Sequence, residues 1–103
     1  MKLQQLRFIL AIAENGLNIT QASERLYTSQ PGVSKQLRLL EEELGIKIFE
    51  RNGKNLAGIT EQGNVVLQKA TAIMQEINEI KQYSNEQNPS RRPLPLQTSL
   101  VAA

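Results

Sequence analysis

Near the amino end, Leu3, Leu6, Ile9, Leu10 and Ala13 recur at intervals that keep them on one side of a helix, with polar residues between them. This pattern predicts a first helix over residues 2–14, ended by Asn15-Gly16. Asn18 offers an N-cap oxygen to a second, two-turn helix over residues 19–26, and Gln21 stands three positions on, as a capping box requires. Tyr27 and Thr28 turn the chain. Ser29 is the next N-cap, and Pro31 falls in a first helical turn, where its missing N–H costs nothing. Val33, Leu37, Leu40 and Leu44 then form one apolar stripe on a third helix, which Gly45 stops.

At Ile46 the period changes. Ile46-Lys47-Ile48-Phe49-Glu50-Arg51 alternates, Asn52-Gly53 is a hairpin signal, and residues 55–59 can return as a second strand. A long helix over residues 61–87 follows, in which Val66, Ala70, Ile73, Ile77 and Ile80 keep a four-three-four-three rhythm. Such a seam is longer than a small domain can cover, so a helix from a second copy is expected against it, with those five residues as the dimerisation set. Pro89 ends the helix, and the remaining residues show neither helical nor strand periodicity, as a disordered linker stub or an appended remnant would. The expected organisation is residues 1–59 as a first domain, 60–88 as a linker and dimerisation helix, and 89–103 as a tail.

Composition narrows the chemistry. The chain has 103 residues, enough for one small core, and contains neither cysteine nor histidine. Disulfides, thiolate nucleophiles and Cys/His metal sites are therefore excluded. Every acid is a glutamate, and the glutamates show no metal-loop spacing. Without histidine or cysteine the usual acid–base and nucleophile pairings are missing, so no enzyme and no cofactor are expected. The apolar runs are far too short for a membrane span and no leader is evident, so a cytoplasmic protein is expected.

The net charge of +2 names no partner, but its distribution is informative. On the third helix Gln30, Ser34, Lys35 and Arg38 occupy the face opposite the apolar stripe near its start, while Glu41, Glu42 and Glu43 gather at its far end. That order runs against the helix dipole, which favours acids at the N-terminus. The first turns are being kept clear of negative charge for another purpose. Gln can pair with adenine, Arg and Lys with guanine, and Ser with several base edges. Thr28 and Ser29 at the helix entrance suit phosphate anchoring, and Arg51 and Lys54 flank the ribbon turn where a duplex backbone or minor groove would meet them.

A polar helix face standing alone is ordinarily just solvated. Two short helices joined by a tight turn and followed by a basic two-stranded ribbon are, together, the layout of a winged helix-turn-helix. The fold class expected is thus mostly α, with a small wing and a long C-terminal helix. A coiled-coil protein-interaction module is the main alternative; it explains the long seam but not the polar face at the third helix's start. Single strands or RNA fit less well, because Phe8, Tyr27, Phe49 and Tyr83 lie mostly in apolar patterns and leave no stacking platform.

The run Ala22-Ser23-Glu24-Arg25-Leu26-Tyr27-Thr28-Ser29-Gln30-Pro31-Gly32-Val33-Ser34-Lys35-Gln36-Leu37-Arg38, followed by Leu40-Glu41, Leu44-Gly45, Phe49-Glu50-Arg51 and Ile59-Thr60-Glu61-Gln62-Gly63, resembles the N-terminal domain of LysR-type transcriptional regulators. The opening Met-Lys-Leu-Gln-Gln-Leu-Arg and the stretch from Leu26 to Gln36 are similar to the CysB/Cbl branch, which governs sulfur assimilation and cysteine biosynthesis. The resemblance covers about residues 1–88. It implies sequence-specific binding of double-stranded promoter or operator DNA, with Thr28, Ser29, Gln30, Pro31, Ser34, Lys35, Arg38 and the wing base Arg51 at or near the duplex. It also implies an antiparallel pairing of linker helices in a homodimer, with assembly into tetramers left open. The family continues into a two-lobed effector domain that takes a small-molecule inducer. The tail after Asn88 does not match its opening strand, so that part is expected to be absent here.

Overall fold

The structure is a computed structural model that describes residues 1–88. The expected tail lies outside the described residues. The chain forms four helices, α1 (Leu3–Glu14), α2 (Ile19–Arg25), α3 (Gln30–Leu44) and α4 (Glu61–Gln87), and one hairpin of β1 (Phe49–Asn52) and β2 (Asn55–Ile59), which lies between α3 and α4 in chain order. The mostly α, winged architecture read from the sequence is what the chain adopts. By compactness it divides at Ile73/Met74, inside α4. The first turns of that helix therefore lie in the first unit.

The core of the first unit is built from Leu6, Ile9 and Ile12 of α1, Ala22 of α2, Val33, Leu37 and Leu40 of α3, Ile48 and Phe49 at the hairpin's entrance, and Leu67 and Ala70 of α4. Leu10, Leu26 and Leu44 pack at its margin. Leu3, expected on the buried stripe of α1, is 52% exposed, and Phe8 lies in the core. The helix ends follow the local chemistry. At the end of α1 the N–H of Leu17 donates to the Ile12 carbonyl (2.9 Å) and that of Gly16 to Ala13 (3.4 Å), a Schellman closure. It holds both residues in the left-handed region, at φ 66° for Gly16 and 65° for Leu17. Asn18 caps α2 by accepting from the Gln21 N–H at 2.9 Å. The reciprocal half of the expected box is not made, because the Asn18 N–H already donates to the Asn15 carbonyl at 3.2 Å.

The wing is shorter than its alternating pattern suggests. Residues 46–48 do not join the ladder, since the backbone groups of Ile48 are engaged by side chains outside the hairpin: its N–H by Glu41 and its carbonyl by Thr60. The strands pair antiparallel, Phe49 with Ile59 and Asn52 with Asn55, with a register irregularity after Glu50. The turn is Gly53-Lys54, one residue later than expected. Gly53 has φ 65° and Lys54 does not share its sign, the pattern of a type II′ turn. Lys54 therefore stands at the tip itself.

Candidate nucleic-acid interface

Helix α3 starts on the Ser29 cap, whose hydroxyl oxygen accepts from the Gly32 N–H at 3.1 Å. The apolar residues Val33, Leu37 and Leu40 turn into the core and thereby turn Gln30, Ser34, Lys35 and Arg38 outward, all of them exposed. Gln30 and Ser34 lie one turn apart and neither side chain has a hydrogen-bond partner among the described residues. Lys35 and Lys54 likewise make no ion pair there. Amide, hydroxyl and two ammonium groups are thus left free of intramolecular work on one side of the unit.

A groove of about 480 Å³ gathers part of this set. It is lined by Gln30 and Ser34 of α3, by Lys54 and Asn55 of the wing turn, and by Asn18 and Thr20 at the start of α2. The predicted helix residues and the predicted wing lysine, twenty positions apart in sequence from Ser34 to Lys54, share one concave, largely polar surface. Asn18, Thr20 and Asn55 were not among the sequence candidates. The only prior signal for them is that N-caps and turn flanks are polar anyway, which does not distinguish them.

The remaining candidates are distributed differently. Thr28 is half-buried, and its hydroxyl donates to the Leu26 carbonyl at 3.2 Å. Pro31 is exposed in the first turn of α3. Arg38 is exposed and lies 3.7 Å from Glu42, one turn on. Arg51 is exposed, with its guanidinium 3.3 Å from the carboxylate of Glu41, which is buried. The acids at the end of α3 thus have local partners, which accounts for their position against the helix dipole. Tyr27, expected to turn the chain, does so at φ 53° and is 96% exposed, whereas Phe8 and Phe49 enter the core.

On α4, Ala70 is part of the unit's own core and Val66 packs against it. The side chain of Ala70 is thus covered by its own chain, while Val66 is only partly buried. Farther along the helix, Ile73 is 38% exposed, Ile77 half-buried and Ile80 68% exposed. No described helix is long and apolar enough to cross a membrane.

Comparison with known proteins gives this arrangement its context. The HTH-type transcriptional regulator CysB of Haemophilus influenzae is 46% identical over 86 residues, covering 84% of this chain and 27% of the relative. The HTH-type transcriptional regulator cbl of Klebsiella aerogenes is 45% identical over 85 residues, covering 82% of this chain and 27% of that protein. The chain thus spans about a quarter of the length of the curated relatives it matches. Among solved structures, the DNA complex of the CbnR DNA-binding domain superposes with a TM-score of 0.74 at 31% identity, covering 84% of this chain and 97% of that one. The BenM DNA-binding domain bound to benA site 1 DNA gives 0.76 at 30% identity, with 84% and 94% covered. The relatives are transcriptional regulators and not enzymes. Residues 3–64 match the bacterial regulatory helix-turn-helix protein family of the lysR type, and the chain belongs to that family as a winged DNA-binding domain of a transcriptional regulator.

Proposed function

We propose that this chain recognises specific double-stranded promoter or operator sequences, with the exposed start of α3 reading base edges in the major groove and the wing tip holding the backbone. The observation that carries the reading is the polar groove lined together by Lys54 and by Gln30 and Ser34, whose side chains have no hydrogen-bond partner among the described residues. Gln30 and Ser34 supply donors and acceptors suited to base edges, and Lys54 at a tight turn supplies a point charge suited to phosphate. Thr28, Ser29, Pro31, Lys35 and Arg38, on or just before α3, serve as secondary contacts. A coiled-coil adaptor would need neither the free amide and hydroxyl of α3 nor a lysine at the hairpin tip.

The likeness to regulators named CysB and cbl supports control of sulfur-assimilation and cysteine-biosynthesis genes in the bacterial cytoplasm. The spacing and exposure of Ile73, Ile77 and Ile80 support a homodimer through α4. In a longer protein an effector domain would take the inducer. An electrophoretic shift series tests the class of partner: duplexes from promoters of sulfur-assimilation genes, the same strands single, and the same sequence as RNA, at matched salt. Retention of the promoter duplex over a scrambled duplex is expected. Equal affinity for all four would overturn sequence-specific duplex binding, and the salt must be stated because phosphate contacts dominate affinity.

A further inference from the structure

The segment leading into the wing is held from two sides by side chains that the DNA-contact reading does not use. On one side is the Glu41 carboxylate, 3% exposed. Its Oε2 accepts the N–H of Ile48 at 2.8 Å and that of Phe49 at 3.4 Å, and its Oε1 accepts Nη2 of Arg51 at 3.3 Å. On the other side is Thr60, whose N–H donates to the Ile48 carbonyl at 3.0 Å and whose single hydroxyl proton is shared between the carbonyls of Lys47 and Ile48. A buried carboxylate is tolerated only where donors fill its oxygens. All three donors here come from the wing or its entrance, and none from α3, the helix that carries Glu41. The carboxylate therefore fastens the wing to the helix whose other end presents Gln30 and Ser34.

We propose that Glu41 and Arg51 are a positioning pair: they fix the wing against α3 so that Lys54 meets the DNA backbone in register with the reading face, and Arg51 acts through Glu41 instead of binding phosphate itself. The proposal rests on the DNA-binding reading above. An Arg51 guanidinium drawn away to phosphate would leave the buried Glu41 carboxylate with its two backbone donors and no cationic partner, which is disfavoured, so Glu41 holds Arg51 at the wing's base. Lys54 carries no such obligation, since no acid pairs with it among the described residues.

The test is a set of salt titrations by fluorescence anisotropy on a bound promoter duplex, using the 103-residue chain. The variants are Glu41→Gln, Arg51→Met and Lys54→Ala, with each of the first two also combined with Lys54→Ala; circular dichroism at the assay temperature checks folding. Arg51→Met leaves the two backbone bonds of Glu41 in place, so it keeps the question open to decision if Glu41→Gln does not fold. Each single variant is expected to make the slope of log K against log salt shallower by about 0.9 per protomer, one phosphate's worth. In the Lys54→Ala background the other two changes should then alter it no further. A second loss of about 0.9 when Arg51→Met is added to Lys54→Ala would make Arg51 a phosphate ligand in its own right and overturn the proposal. An unchanged slope for Arg51→Met alone, in a folded protein, would overturn it too. If the unsubstituted chain binds no duplex, the DNA reading itself falls, a result distinct from either.

Discussion

Replacing Gly63 with alanine sets local helix preference directly against tertiary packing. Alanine is favoured over glycine inside a helix by about 1 kcal/mol, and Gly63 sits in the first turn of α4, so propensity alone predicts a small gain. The surroundings predict the reverse. A Cβ on Gly63 would lie 2.0 Å from the Ile48 carbonyl oxygen and 2.8 Å from its carbon, both backbone atoms that no rotamer change can move aside. To restore an ordinary contact, the start of α4 must retreat by about 1 Å or more. That movement pulls on the bonds from Thr60 to Ile48, and each lost hydrogen bond costs about 1 kcal/mol. Forced overpacking adds about 1–3 kcal/mol. Set against the propensity gain, Gly63→Ala should destabilise by about 1–4 kcal/mol, with about 4–8 °C of melting temperature per kcal/mol at this size. Thermal unfolding followed by circular dichroism reads the outcome, and a melting temperature equal to or above that of the parent would refute the close approach of α4 to Ile48.

Leu40, fully buried in the core of the first unit, should lose about 2–5 kcal/mol on truncation to alanine, visible as a lower urea midpoint; no change would mean the α3 stripe is not core. Ile73→Glu with Ile77→Glu places charges on the outer part of α4, and sedimentation velocity at micromolar concentration should show the parent dimeric and the double variant monomeric; two monomers would refute the seam.

The helices were legible because their signals are local. Apolar period, N-cap and αL glycine all lie within a few residues of each boundary, as at Ser29 and Gly45. The reading face was legible for the same reason: once Val33, Leu37 and Leu40 are assigned inward, helical geometry sends Gln30 and Ser34 outward. The misreadings occur where distant residues decide. Residues 46–48 alternate like a strand, yet Glu41 and Thr60 take the backbone groups a ladder would need. Arg51 looks like a free wing base until the buried carboxylate ten positions earlier is seen beside it. Val66 and Ala70 share a rhythm with Ile73 and Ile77, and periodicity gives the phase of a seam without saying where one's own core stops covering it.

The most direct test of the central claim is a pair of salt titrations by fluorescence anisotropy, specific against scrambled duplex, on Gln30→Ala and Lys54→Ala. If α3 reads bases and the wing tip holds phosphate, Gln30→Ala should lose about 1–3 kcal/mol on the specific site and little on the scrambled one. Lys54→Ala should weaken both together and make the salt slope shallower by about 0.9 per protomer. Equal losses on both duplexes for Gln30→Ala, with an unchanged salt slope for Lys54→Ala, would contradict the division of work between the helix and the wing.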